Sequence, residues 1–252
     1  MSHNQLIVDG LAISYNRVGA GDVVLLLHGW GDNKETYKAL HGLLQDNYEV
    51  IAVDLPGFGL SESPTTAWGL NNYSNFLTLF LQKLGIHKLR CVIGHSNGGA
   101  IAINALANSQ ISADKLVLIA SAGIRLSNQS TMKKTFTKII KLSLKLLPGK
   151  WSIAVRKKVY AKMGSELFHV PGMEESFKKI VAQDLQTEAA SLKLPTYIIY
   201  GADDTSTPPS FGQIYANLIS DSELIIIPEA GHFVHQQKSE KVNKMVKSFI
   251  DL

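Results

Sequence analysis

The chain has a single cysteine, Cys91, in 252 residues. That excludes an intramolecular disulfide framework and a thiolate-rich zinc site. Its 20 glycines and 8 prolines are far too few for a fibrous or low-complexity chain. No run of about 18 apolar residues occurs, so no stretch reads as a membrane span. Met1 to Asp9 lacks the basic region and long apolar run of a secretory signal. No loop of the phosphate-cradling type appears, and no histidine–carboxylate cluster has metal-ligand spacing. The sequence therefore implies no cofactor and no metal. With 45% hydrophobic residues it is too apolar for disorder. What these absences leave is a soluble, cytoplasmic globular protein, long enough to bury a sizeable core as one large domain or two small ones.

What is present is an alternation of strand-like and helix-like segments. Leu6–Val8 and Leu11–Tyr15 flank Asp9-Gly10, a good hairpin turn. Val23–Leu27, Tyr48–Val53, Leu89–Ile93 and Leu116–Ala120 are apolar runs of strands covered on both faces. Between them, Lys34–Leu44, Tyr73–Leu84 and Gly98–Ala107 have helical spacing. The pattern resumes with strands Thr196–Tyr200 and Glu223–Ile227 and helices Pro209–Leu218 and Ser239–Ile250. It predicts an α/β fold, a mostly parallel central sheet flanked by helices. From Gly123 to Lys193 strands disappear and lysine-rich helical sequence takes over, as an insertion sitting on the sheet.

The strongest chemical signal is Gly94-His95-Ser96-Asn97-Gly98, followed by Gly99, directly after one predicted strand and before a helix. This is the setting of a nucleophile elbow. A sharp turn lifts the Ser96 hydroxyl above the sheet, and glycines let neighbouring chain pass close by. A serine hydroxyl needs a base to take its proton. His232, in a loop after the last strand, lies on the same rim of the sheet, with His235 its local rival. His3, His41, His87 and His169 are assigned to the surface or the insertion. The base in turn needs an acid to hold its tautomer. Asp203 and Asp204, after the penultimate strand, are the two candidates.

The order Ser96, aspartate, His232 resembles that of the α/β-hydrolase family, here of the carboxylesterase-like kind with a helical cap. Leu27-His28-Gly29-Trp30-Gly31 resembles the family's oxyanion loop, and Asp54-Leu55-Pro56-Gly57-Phe58-Gly59-Leu60-Ser61 its D-x-P-G-x-G-x-S segment. The family's acid motif has a glycine three residues before the aspartate and a proline four after it. Gly201 and Pro208 fit only Asp204. The resemblance implies Ser96 as nucleophile, His232 as base and Asp204 as orienting acid, with the backbone N–H groups of Trp30 and Asn97 as oxyanion hole. It implies a catalytic domain of residues 1–122 and 194–252 and a cap of residues 123–193. The D-x-P-G-x-G-x-S segment is expected to be structural. The Trp30 side chain is expected either to line the substrate pocket or simply to pack, and His95 is a further substrate-binding candidate.

The expected reaction is hydrolysis of a small or medium ester through an acyl-enzyme. The same machinery serves C–C bond hydrolysis and acyl transfer, and some members of the fold bind small molecules without turnover. The charge narrows the partners. Between Arg125 and Lys162 stand eleven Lys or Arg and no Asp or Glu, so this segment carries +11 and the remainder −7, within a net charge of +4. One reading is a solvated lysine face on the cap; the other is attraction of acidic substrates or an anionic membrane surface. No nucleic-acid motif accompanies the charge, so nucleic acid is not an expected partner.

Overall fold

Asp9 and Gly10 both take left-handed backbone, φ 48° and 78°, and fold the first strand back on the second as an antiparallel hairpin. The computed structural model describes residues 3–126 and 170–252. Among these, eight strands form one sheet: β1 (His3–Val8), β2 (Leu11–Val18), β3 (Val23–Leu27), β4 (Glu49–Val53), β5 (Leu89–His95), β6 (Ala113–Ile119), β7 (Thr196–Gly201) and β8 (Ser222–Ile227). Their order is β1-β2-β4-β3-β5-β6-β7-β8. Only β1–β2 and β2–β4 pair antiparallel; every other pair is parallel. The helices are α1 (Lys38–Leu44), α2 (Leu70–Lys83), α3 (Asn97–Ala107), α4 (Glu174–Ala182), α5 (Gln186–Ser191), α6 (Pro209–Leu218), α7 (Val234–Gln237) and α8 (Ser239–Asp251).

The central strands are continuously apolar because both faces are covered. On one face Leu25, Leu27, Val92 and Leu118 pack against Leu77 and Phe80 of α2 and Ile101 and Ala105 of α3. On the other, Val24, Leu26, Ile93 and Val117 pack against Leu40 and Leu44 of α1 and Val242, Val246 and Ile250 of α8. Cys91 belongs to this second layer, fully buried, and burial pushes its thiol pKa up, as suits an unreactive small hydrophobe. The chain steps from β3 outward to β4 and then returns to the other side of β3 as β5. That reversal opens a crevice at the C-terminal ends of β3 and β5, where ligands bind in open α/β sheets.

The expected elements form, with shifted edges. The expected helix over Lys34–Leu44 divides into a 3₁₀ turn, Lys34–Tyr37, and α1, while α2 starts earlier, at Leu70. His41, expected at the surface, is buried at 1% exposure on the inner side of α1. Of the insertion expected over residues 123–193, residues 170–193 form α4 and α5 with no strand, and Met173, Ile180, Leu185, Ala189 and Leu192 join the larger apolar layer. Apart from Arg125, the lysines and arginines of the basic segment that ends at Lys162 lie outside the described residues, as does all of 127–169.

Candidate active site

Ser96 sits between β5 and α3 with φ 50° and ψ −114°, a backbone conformation that a non-glycine residue adopts only under constraint. The constraint is visible. The Ser96 N–H donates to Ile119 O on β6 at 3.0 Å, and its carbonyl accepts from Ala100 and Ala122 at 3.2 and 3.0 Å. The glycines of the motif are required by contact: a Cβ on Gly94 would stand 2.5 Å from Gly99 N, and one on Gly98 would stand 2.1 Å from Leu27 O. Both lie below any contact that a real Cβ makes, so β5, the elbow and the end of β3 approach this closely only with glycine.

The elbow places Ser96 Oγ 3.0 Å from Nε2 of His232. On the other side of the ring, Nδ1 stands 2.9 Å from Asp204 Oδ2. An ionised carboxylate only accepts, so Nδ1 carries the proton and Nε2 turns a lone pair toward the serine. The Asp204 side chain has no exposure and that of His232 has 9%. Burial works against ionising Asp204, but the hydrogen bond and charge of His232 and the hydrogen bonds of Thr207 outweigh it and hold the carboxyl below the usual range. Its second oxygen accepts from the N–H groups of Ser206 and Thr207 at 2.8 and 2.9 Å. Asp203, the neighbour, is exposed.

The cavity in front of the serine is lined by Trp30, Ser96, Asn97, His232 and Thr207, with Phe177 and Ile180 of α4 and Phe211 of α6. Trp30 both lines it and packs, edge-on to Phe58 at 4.9 Å and to Phe177 at 5.1 Å. The main-chain N–H groups of Trp30 and Asn97 have no main-chain acceptor among the described residues. Asn97 is 3% exposed, and its side-chain amide has no hydrogen-bond partner among them.

One expectation is corrected. His95 does not reach the cavity as a substrate-binding group. Strand alternation turns it away from the side on which Ser96 opens, to a position behind the His232 ring. It is 1% exposed, and its Nε2 bonds the His232 carbonyl at 3.0 Å. His28 is likewise internal: Leu55 N–H donates to its Nε2 at 2.9 Å while Nδ1 donates to Gly29 O at 2.7 Å, tying the loop after β3 to the loop after β4.

The Asp54–Ser61 segment is structural, as expected. Asp54 accepts from Lys34 Nζ at 2.6 Å, from Lys34 N–H at 2.7 Å and from Leu60 N–H at 3.0 Å, and Ser61 Oγ closes the turn on Asp54 O at 2.6 Å. Two residues at the site were not singled out in the sequence. Thr207 had a local signal, since a residue three after an aspartate is where a capping carboxylate finds its donor. Arg125, which lines the cavity, had none, because only the path of the chain after β6 brings it there.

Comparison with known proteins agrees with this architecture. A family model described as "Alpha/beta hydrolase family" matches residues 24–245. The AB hydrolase superfamily protein YisY of Bacillus subtilis (strain 168) is 25% identical over 258 residues, spanning 92% of each chain. The 2-hydroxy-6-oxo-6-phenylhexa-2,4-dienoate hydrolase of Comamonas testosteroni is 24% identical, covering 94% of this chain and 91% of its own. Among solved structures, the esterase EaEST of Exiguobacterium antarcticum shares the fold with a TM-score of 0.76, at 22% identity over 97% of each chain.

Proposed function

Because the chain belongs to the alpha/beta hydrolase family, we propose that it is a serine hydrolase cleaving a small or medium ester, with Ser96, His232 and Asp204 as its catalytic residues. The observation that carries this is the unbroken run Ser96 Oγ, His232, Asp204 at 3.0 and 2.9 Å, opening on a cavity walled by aromatic and aliphatic side chains.

In the proposed reaction Ser96 Oγ attacks the ester carbonyl while its proton passes to His232 Nε2. The imidazolium that forms is stabilised by Asp204, which stays ionised. Negative charge on the carbonyl oxygen is met by the N–H groups of Trp30 and Asn97; loss of one such donor typically costs on the order of 100–1,000-fold in rate. His232 then protonates the departing alcohol, and water, activated by the same nitrogen, releases the acid.

A second reading, hydrolysis of a C–C bond beside a carbonyl, is favoured by the likeness to the Comamonas dienoate hydrolase. One panel separates the alternatives. Purified protein is assayed on p-nitrophenyl esters of graded acyl length and on a dienoate C–C substrate, beside Ser96→Ala. The ester reading expects turnover on short and medium acyl chains, lost by up to about 10⁶-fold in the variant. Turnover confined to the dienoate selects the second reading. Activity unchanged in Ser96→Ala removes Ser96 as nucleophile, and saturable ligand binding without turnover marks a non-catalytic member of the fold.

A further inference from the structure

Behind His232, on the side away from the cavity, three residues remote in sequence meet. Asp32 follows β3, His95 ends β5 and His235 lies in α7. One ligand-capable atom from each falls within 4.8 Å of the others. The two imidazoles are 1% and 5% exposed, with ring centroids 4.4 Å apart. Asp32 Oδ2, His95 Nδ1 and His235 Nδ1 are all buried with no hydrogen-bond partner among the described residues.

The remaining polar atoms of the three side chains are engaged: Asp32 Oδ1 accepts from Asn33 N–H at 2.9 Å, His95 Nε2 bonds His232 O at 3.0 Å, and His235 Nε2 pairs with Thr36 Oγ1 at 3.0 Å. A carbonyl oxygen only accepts, so His95 carries its proton on Nε2 and presents a bare lone pair at Nδ1. Asp32 Oδ2 presents another. Burial, with the nearby histidine charges, pushes the His95 pKa well below its usual value, and burial pushes that of His235 down to about 3, so both rings are neutral ligands at neutral pH. The lone pairs on Asp32 Oδ2 and His95 Nδ1 meet beside His235 Nδ1, none of the three atoms has a hydrogen-bond partner among the described residues, and a cation held by all three satisfies them together.

We propose that Asp32, His95 and His235 form a binding site for one divalent transition-metal ion of the zinc type. Two imidazole nitrogens and a carboxylate oxygen are a donor set suited to Zn²⁺. Tetrahedral bonds of about 2.0–2.2 Å set ligand atoms roughly 3.4 Å apart, so from separations of up to 4.8 Å a shift of about 1 Å in each side chain closes the site. Asp32 is half-buried beside the exposed Gly31, which gives the ion a way in from solvent. None of the three ligands lines the cavity in front of Ser96. The ion would clamp the loop after β3, the elbow and α7, and through His95 Nε2–H it would steady the His232 backbone. This inference does not depend on the hydrolase reading.

The test uses the full chain, stripped with a chelator, dialysed and titrated with ZnCl₂ by calorimetry while Tm is followed. One ion binds per chain and raises Tm. Asp32→Asn and His235→Gln each weaken binding by more than the roughly 10–100-fold that loss of a mere outer-shell partner produces. Co²⁺ added to the unaltered chain supplies a readout that needs no variant: visible d–d absorption saturating at one equivalent. Absence of saturable zinc binding, absence of the cobalt bands, or zinc affinity unchanged in both variants overturns the proposal.

Discussion

Thr207 Oγ1 stands 3.1 Å from His232 Nδ1, the nitrogen that also faces Asp204. The hydroxyl lies 2.8 Å from Asp204 Oδ2 and 2.9 Å from Ala120 O, so it ties the histidine and its acid to the end of β6. It accepts a share of the Nδ1 proton while donating its own to the carboxylate or the carbonyl. Hydrogen bonds to charged groups contribute about 1.5–3 kcal/mol, which corresponds to roughly 10–100-fold in rate if expressed in the transition state. Thr207→Val should lower kcat by about that factor with KM little changed, and Thr207→Ser should restore most of it. Equal losses in both variants, or a loss confined to KM, would show that the hydroxyl does not position the histidine.

Lys34 and Asp54 form an ion pair at 2.6 Å with side chains 2% and 1% exposed. The lysine also donates to Ser14 Oγ at 3.0 Å, and the carboxylate holds the loop that ends at Ser61. Removing one partner strands the other charge out of water. Lys34→Met should therefore destabilise the fold by about 3–5 kcal/mol, read as a lowered midpoint in urea with the slope unchanged. A change below about 1 kcal/mol would place this pair with exposed ones.

Stability should fall in acid partly through Asp204. Its native pKa is depressed, so the unfolded chain takes up this proton first as pH falls. The contribution is complete above the ordinary carboxylate value near 3.9 and is lost as pH drops through the lower native value. Urea unfolding from pH 6 to 2 should show a shallower acid decline in Asp204→Asn than in wild type. Parallel slopes for Asp204→Asn and wild type would contradict the depressed value.

Arg125 is the one charged Lys, Arg, Asp or Glu side chain lining the cavity among the described residues. Burial lowers its guanidinium pKa from a value so high that the group stays cationic. Its Nε is buried without a hydrogen-bond partner among those residues, and one terminal nitrogen donates to Ile124 O at 2.9 Å. An acyl group ending in a carboxylate would use the remaining donors. An ester of succinate should therefore be preferred over the matching butyrate, and Arg125→Gln should erase that preference by about 10-fold or more while sparing the neutral ester. No preference in wild type would assign Arg125 to packing alone.

The parallel sheet, the hairpin and the elbow were legible in the sequence because each rests on a local pattern, whereas Asp204 was chosen over Asp203 only through the resemblance to the family's acid motif. Apolar runs, helical spacing, Asp9-Gly10 and the glycines around Ser96 act over a few residues, and backbone geometry admits few alternatives there. The role of Thr207 was half-legible, as a capping position whose second partner, His232, comes from another loop. His95 illustrates the limit. Its place before the serine suggested contact with substrate, whereas alternation along β5 turns it to the back of the site. Only the tertiary structure sets Asp32, His95 and His235 side by side, from three segments that share no spacing. Local patterns determine which elements form and where the chain turns. Which buried polar atoms face one another depends on how those elements cross, and that is decided only when the sheet and its loops have packed.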